Sequence, residues 1–523
     1  MILSQQSLNL ALPPLSPGNV TLPVTHPMNS MLAAVDLGSN SFRLLIGRIA
    51  RDGETAQVYQ VDRLKETVRL AAGLGPDKTL GPEAIDRAIS VLERFGERLR
   101  SFHPDRVRAV ATNTFRVARN VSDFLPRAEA ALGFPIEVIA GREEARLIFS
   151  GVAHSLPPSS EKRLVVDIGG GSTEFIIGNG FEPELMESLY MGCVSYSRAY
   201  FPDGVIDAHG MKQAELAARR ELEVIAKQYR RTGWKEAFGS SGTGKALGTI
   251  LVESGFSDQG ITRRGLDKLK ERLIKAGTVD RAQLLGAKVD RYSVLPGGLA
   301  IMSAVFDELG IDSMNTADGA LRLGVLYDLL GRDAETDKRD DTVRQFMVRY
   351  EIDVAQATRV KTAALAMFAS LVPANTPGFE ELESALGWAA DLHELGLSIA
   401  HNTYHKHTAY VLENADMPGF SRQDQRQLAL LTLGHLGKLG KLQSLVRTDA
   451  QWVAILCLRL AAVLFRRRED LDSLPVTVSL RDRSVTVKVE AGWLKDHPLT
   501  DFTLRAEESE WSKVGFTFEL LEL

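Results

Sequence analysis

A seven-residue segment occurs twice in this chain, as Val35-Asp36-Leu37-Gly38-Ser39-Asn40-Ser41 and as Val166-Asp167-Ile168-Gly169-Gly170-Gly171-Ser172. Each copy follows a short apolar run, keeps Asp and Gly at the same offsets and ends on serine. Beyond it, Ile46-Gly47 and Ile177-Gly178 stand ten and eleven residues past their aspartates. The repeated unit is therefore a strand, a tight turn and a second strand. A plain hairpin needs glycine in its turn but neither the aspartate nor the hydroxyl. Backbone N–H groups of such a turn can close on a phosphate, and an aspartate at the strand end can hold a divalent cation directly or through water. Two copies in register predict a duplicated fold with a phosphate-bearing ligand clamped between its halves.

A chain of 523 residues is too long for one core and fits three or four domains. Its composition, 44% hydrophobic and 25% charged, is that of a globular protein, and no apolar run reaches the roughly 20 residues that span a bilayer. The first thirty residues carry five prolines, and the first Lys or Arg is Arg43, so the start lacks the pattern of a secretory signal and reads as a flexible tail over 1–30. Cys193 and Cys457 stand far apart without metal-ligand spacing, which predicts buried thiols in a reducing compartment. By elimination the expected setting is cytoplasmic, with no membrane. A net charge of −5 excludes a general nucleic-acid binder held by bulk positive field, so a polyanion must be caught by local basic clusters.

Strands and helices alternate through 31–151 and again through 152–330, which predicts two sheets with helices packed on them. Helices are expected at Pro82–Phe102, Asp123–Leu132, Met211–Tyr229 and Gly319–Leu330, and strands at Val107–Ala111, Ile136–Ile139, Leu164–Val166 and Glu182–Tyr190. The charged run Gly331–Asp341 reads as a linker. Apolar residues then recur at three and four through 342–470, as in Val360, Ala363, Ala364, Met367 and Phe368, so this part is helical. From 475 to 523 the period falls to two, in Val476, Val478, Leu480 and Val485, Val487, Val489, predicting a small hairpin-based module.

Between the two loops, Gly141-Arg142-Glu143-Glu144-Ala145-Arg146 turns a strand into a helix that opens on two carboxylates. Acidic residues at a helix start complement its dipole. Their place between two phosphate loops adds a second reading, a carboxylate that takes a proton from an attacking water. Glu174, two residues past Ser172, points to the same side of its strand and could complete a magnesium site with Asp36 and Asp167. Arg43 and Arg116 are candidate phosphate forks. Gly239 to Lys245 has the glycine and lysine spacing of a P-loop, but Ala246 stands where that loop needs a hydroxyl, so a glycine-rich turn lining the cleft fits better. In the helical part, His393, His401, His405 and His407 lack further ligands at metal spacing and read as structural or surface histidines.

Both loops, Ala111-Thr112-Asn113-Thr114-Phe115-Arg116, Gly141 to Arg146, Asp167 to Glu174 and Gly239-Ser240-Ser241-Gly242-Thr243 occur in an order that resembles the exopolyphosphatase and guanosine pentaphosphate phosphohydrolase family. The resemblance implies an α/β fold of two actin-like (ribonuclease-H-like) domains, followed by an all-α HD-like domain and a small C-terminal β-rich module. It implies hydrolysis of a terminal phosphoanhydride, with Glu144 as general base. Asp167 and Glu174 would hold Mg2+ with Asp36 nearby; a need for a monovalent cation such as K+ stays open. Ser39, Asn40, Gly170, Gly171 and Ser172 would hold phosphate, with Arg116 beside them. In the HD-like part, Glu394 follows His393 where the family motif has aspartate, and Gln356 stands near the place of its first histidine, so that domain is expected to hold polyanion and make homodimer contacts.

The first expectation is an exopolyphosphatase acting on inorganic polyphosphate, and the second is removal of the terminal phosphate of guanosine pentaphosphate at the same site. A sugar kinase or actin-like ATPase would share the loops, but the Glu-Glu-Ala-Arg segment favours hydrolysis over transfer. A non-enzymatic sensor would not need Asp36, Asp167, Glu144 and Glu174 together.

Overall fold

The computed structural model describes residues 30–52, 55–157, 159–332, 337–471 and 473–523; the tail expected at 1–30 falls, but for Ser30, outside them. The first sheet contains β1 (Met31–Leu37), β2 (Ser41–Asp52), β3 (Thr55–Thr67), β4 (Val107–Ala111) and β5 (Ile136–Val138), in the order β3-β2-β1-β4-β5. The second contains β6 (Arg163–Ile168), β7 (Thr173–Asn179), β8 (Glu182–Leu189), β9 (Glu236–Ser240), β10 (Ile261–Thr262) and β11 (Ser313–Thr316), in the order β10-β11-β9-β6-β7-β8. In both, the first three strands form an antiparallel meander, and the next joins the first in parallel. This is the duplication that the repeated loops predicted. No helix among the described residues is long and apolar enough to cross a membrane.

Period two decides what each strand faces. In β1, Ala33, Val35 and Leu37 pack under the outer helices Pro82–Leu99 and Val121–Leu132, whereas Leu32 and Ala34 join a separate core shared with the other half. In β6, Leu164, Val166 and Ile168 face outward and Val165 faces the shared core. Two helices fill that core crosswise. The helix Gly141–Ala153, which closes the first half, covers Gly178 of the second sheet with Phe149. The helix Leu321–Arg332, which closes the second half, covers Gly47 of the first sheet with Leu326. Where the two helices cross, a Cβ on Gly324 would lie 1.7 Å from the Leu147 carbonyl, so only glycine allows the approach.

The repeated Ile-Gly pairs have a structural meaning the sequence did not disclose. The β2–β3 register shifts between Ile46 and Gly47, and the β7–β8 register shifts between Ile177 and Gly178. Each glycine thus sits at a bulge where the strand bends beneath the crossing helix.

The helical region begins at Lys338, inside the stretch expected to be a linker, and continues through the helices Val354–Leu371, Phe379–Leu392, Tyr404–Asn414, Arg422–Gly434 and Asp449–Leu464. The hairpin β12 (Val476–Arg481) and β13 (Ser484–Val489) is present, and β14 (Thr517–Glu522) joins it in parallel. Between them lies the helix Pro498–Ser512, which the period-two reading did not include. Val485, Val487 and Trp511 share one hydrophobic core with Leu386, Leu428 and Ile455, so the last strands are packed directly on the helices.

Candidate active site

On the inner face of the two sheets, Asp36 ends β1 on the side of Ala34, and Asp167 ends β6 on the side of Val165. Both aspartates therefore project into the space between the halves. The two loops meet there. A Cβ on Gly170 would lie 3.0 Å from the Ser39 Cβ, and one on Gly171 would lie 2.6 Å from the Asn113 amide nitrogen, so side chains at either glycine would push the loops apart. The Thr114 hydroxyl donates to Ser39 Oγ at 2.8 Å. Asp36, Ser39, Asn40, Arg43, Glu144, Asp167, Gly170, Gly171 and Ser172 all line the resulting cleft.

Glu144 reaches the cleft from the first turn of the helix Gly141–Ala153. Arg116, on the short helix Asn113–Val117, donates to Glu144 Oε2 at 2.7 Å and to the Ile139 carbonyl at 3.1 Å. Expected as a phosphate fork, Arg116 is engaged with the carboxylate instead and does not line the cleft. Burial holds the Glu144 carboxyl above its ordinary pKa against the pull of Arg116, and the Asp36 and Asp167 charges add to the rise. Glu144 is thus a carboxylate with raised proton affinity, as a general base requires.

Glu174 lies opposite Asp167 in the β6–β7 pairing, behind the cleft lining, and accepts a hydrogen bond from Ser188 Oγ at 2.8 Å. Its pKa is pushed well up, by burial first and then by Glu144 and Asp167. Burial also raises Asp167, although Ser240 and Ser241 donate to its Oδ2 at 2.5 and 2.7 Å. Burial raises Asp36 as well, with Arg43 and Arg322 pulling the other way. These four buried carboxylates form a hard-oxygen environment short of positive charge, which suits a divalent cation. Among the described residues no three His, Cys, Asp or Glu side chains converge as a metal-holding group.

Beside this acidic floor lies a second space of about 1260 Å³, against about 670 Å³ for the first. Its walls carry Arg43, Arg63 and Lys65 from the first half, and Lys245, Lys288, Arg291 and Arg322 from the second. Burial and the charge of Arg43 hold Arg322 down to about 10 and also depress Arg291. Cations pressed together in this way form an anion site. Lys65 and Asp290, 3.0 Å apart, pair across the two halves at its wall.

Several contributors escaped the sequence reading. Cys193 and Arg291 line the cleft from positions with no motif to mark them, and Thr112 lines it from a quoted segment in which it was given no task. Ser240 and Ser241 lie in the glycine-rich turn expected to line the cleft, but their task of fixing Asp167 was not foreseen. Ser241, the first residue of the helix Ser241–Glu253, has a φ of 61°, an uncommon conformation for serine that the Asp167 contact accompanies. In the helical region, Thr403 has a φ of 56° and the helix starts only at Tyr404, so His401 and His405 do not share a helix.

Residues 48–333 match the Ppx/GppA phosphatase family, and residues 338–508 match Ppx/GppA phosphatase, domain III. A guanosine-5'-triphosphate,3'-diphosphate pyrophosphatase from Aeromonas hydrophila subsp. hydrophila is 39% identical over 498 residues, covering 94% of this chain and 99% of that protein. An exopolyphosphatase from Cytophaga hutchinsonii has a crystal structure that matches with a TM-score of 0.52 and 24% identity, over 58% of this chain and 98% of that one. A crystal structure of an exopolyphosphatase-like protein matches with a TM-score of 0.51 and 23% identity, over 58% of this chain and 99% of that one. The two structural likenesses concern the fold alone.

Proposed function

Because the chain belongs to the Ppx/GppA phosphatase family, hydrolases of phosphoanhydride bonds, we propose that it removes the terminal 5'-phosphate of guanosine 5'-triphosphate 3'-diphosphate. The observation that carries the proposal is the pair of adjoining spaces, one floored by Asp36, Asp167 and Glu144 with Arg43 and Arg291 at its side, and the other walled by seven cations, of which Lys65 and Lys245 pair with Asp290 and Asp318. A nucleotide with phosphates at both its 5' and 3' positions can fill both. The 39% identical relative supports this substrate over inorganic polyphosphate, the expectation placed first on sequence.

In this reading the N–H groups of the Gly170-Gly171-Ser172 loop, with Ser39 and Asn40 opposite, hold the terminal phosphate. Asp167 and Glu174, with Asp36 across the cleft, would hold magnesium, which would supply neutralisation of phosphate charge. Glu144 accepts a proton from the attacking water, and its pairing with Arg116 fixes the carboxylate's direction. Orthophosphate leaves with the water oxygen, and the 5'-diphosphate is the leaving group.

The helical region is read as HD-like without a second metal centre. Arg468 donates to both oxygens of Glu394, at 2.7 and 2.9 Å, and to Asp353 at 2.9 Å, so a guanidinium occupies the carboxylate of the His393-Glu394 pair. The Gln356 side chain donates to the Phe465 carbonyl at 2.8 Å.

Inorganic polyphosphate is the second substrate to test, because among the described residues no aromatic side chain lines the basic space to stack on a base. Orthophosphate release from the nucleotide and from long-chain polyphosphate, each with magnesium, separates the two. The proposal expects the larger kcat/KM on the nucleotide. A larger kcat/KM on polyphosphate would reverse the substrate assignment while leaving the site in place.

A further inference from the structure

Glu143 and Glu144 are neighbours on one helix, yet they serve different surroundings. Successive helical residues point about 100° apart, so a helix that turns Glu144 into the cleft turns Glu143 away from it. Glu143 is 3% exposed. An acidic residue that only complemented a helix dipole could remain in water. This one is enclosed: Arg146 grips both its oxygens at 2.7 Å, and the Arg108 guanidinium stands 3.9 Å away. Arg108 in turn donates to Asp328 at 2.6 Å and to Glu137 at 2.9 Å, and Arg146 also donates to Asp328. Glu143 thus ties the start of its helix to β4, to β5 and to the crossing helix Leu321–Arg332.

A further partner comes from the other end of the chain. The Gly419 N–H donates to Glu143 Oε2 at 2.9 Å, across 276 residues of sequence. Gly419 lies between the helices Tyr404–Asn414 and Arg422–Gly434 and has a φ of 88°. A Cβ there would meet the Arg339 backbone nitrogen at 3.1 Å, so the loop reaches Glu143 only as glycine. Thr342 secures the same loop by donating to the Pro418 carbonyl at 2.7 Å. Arg142, the residue before Glu143, pairs with Asp416 at 2.9 Å. The helical region therefore holds the two residues that immediately precede Glu144.

We propose that Glu143 is a positioning residue for the hydrolysis: it carries the seating of the Asp416–Phe420 loop onto the helix turn that aims Glu144, so the base is aligned only while the helical region is docked. The inference rests on Glu144 being the base. It assigns the helical region a part in turnover that needs no contact with substrate. A buried carboxylate held by several charged partners suits this task, since its removal leaves Arg146 and Arg108 short of a counter-charge and frees the turn to rotate.

The test uses the full chain with magnesium and guanosine 5'-triphosphate 3'-diphosphate, and compares Glu143→Gln, Gly419→Ala and Glu144→Gln with the parent. Each is measured for kcat, KM, the acid limb of kcat against pH, and thermal unfolding. Glu143→Gln and Gly419→Ala are expected to lower kcat by about 10- to 100-fold, the scale set by small misplacements of a reacting group, with KM unchanged. The acid limb should move to higher pH, because a loosened Glu144 loses part of its pairing with Arg116. A purely structural role would lower the unfolding temperature and leave both the acid limb and kcat per folded molecule where they were. Parent-like kcat and acid limb in Glu143→Gln overturn the proposal; should that variant fail to fold, the same result in Gly419→Ala overturns it. Parent-like kinetics in Gly419→Ala beside an impaired Glu143→Gln overturn the link to the helical region. Glu144→Gln separates the two levels: if it keeps the parent rate, the base assignment itself falls, whereas if it collapses while the other two match the parent, only the positioning role falls.

Discussion

The two halves of the cleft share one hairpin and differ in one sign. In the first, Asp36 at the end of β1 lies opposite Arg43; in the second, Asp167 at the end of β6 lies opposite Glu174. Both partners stand seven residues after their aspartate, on the inner face, in strands that bulge at the same later Ile-Gly pair. The backbone is thus repeated while the charge is not. An aspartate facing arginine is locally balanced and leaves the guanidinium to line both cleft spaces. An aspartate facing glutamate is a buried double negative; burial raises Asp36, Asp167 and Glu174 alike, and Glu174 is raised further by the charges of Glu144 and Asp167. A symmetric scaffold can in this way offer one wall to phosphate and the other to a cation.

Removing the second-half charge should have the larger effect. Glu174→Gln is expected to weaken apparent magnesium affinity by about 10- to 100-fold, read from the magnesium dependence of the rate. An unchanged dependence would show that the sign difference does not place the ion. Removing the first-half charge acts on substrate instead. Arg43→Ala should raise KM about tenfold, the equivalent of roughly 1.5 kcal/mol for a lost charge-assisted hydrogen bond, without altering the magnesium dependence. If the two variants changed the same parameter, the division between the walls would be lost.

Arg116 tests the balance between the hairpins. Its charge lowers the Glu144 pKa, second only to the raising effect of burial. Arg116→Met should therefore move the acid limb of kcat/KM to higher pH, so that activity is lost sooner on acidification. An acid limb that stays put would detach Arg116 from the base.

The smallest effect concerns stability. His393, His435 and His405 are buried in the helical region with depressed pKa values, His405 to about 4, chiefly through desolvation. The unfolded chain takes protons near pH 6.5 that the folded one refuses, so their contribution is complete above that pH and is lost as pH falls toward about 4. The cleft carboxylates have the opposite sign. Their folded pKa values are raised, so their contribution is complete below the ordinary carboxylate range and declines as pH rises. Hydrogen exchange followed from pH 7.5 to 5.5 should show protection falling in the helical region while the strands beside the cleft hold theirs; equal losses in both would contradict these signs.

The local half of this site was legible and the tertiary half was not. The loops and the first-half elements Val107–Ala111 and Pro82–Leu99 could be read because periodicity and turn chemistry act over a few residues, whereas Glu144 was set apart from Glu143 by the family resemblance alone. Periodicity also assigned Glu174 to the side of its strand that Ser172 takes. It could not say what stood opposite: the contacts of Ser240 with Asp167 and of Gly419 with Glu143 join distant positions. The helix Leu295–Leu309 escaped notice for another reason. It is buried almost all round, so it has no polar face to create a period. The strand Thr55–Thr67 was missed because its charged and polar residues conceal the alternation of a pairing strand.

The most direct measurement is orthophosphate release from guanosine 5'-triphosphate 3'-diphosphate by the parent and by Glu144→Gln, above the acid limb and at saturating magnesium, with nucleotide binding measured alongside. The account predicts a fall of about 10²- to 10⁴-fold in kcat, the range for loss of a general base, with binding retained. Release at the parent rate would contradict it, because the cleft would then hydrolyse its substrate without the carboxylate that both hairpins surround.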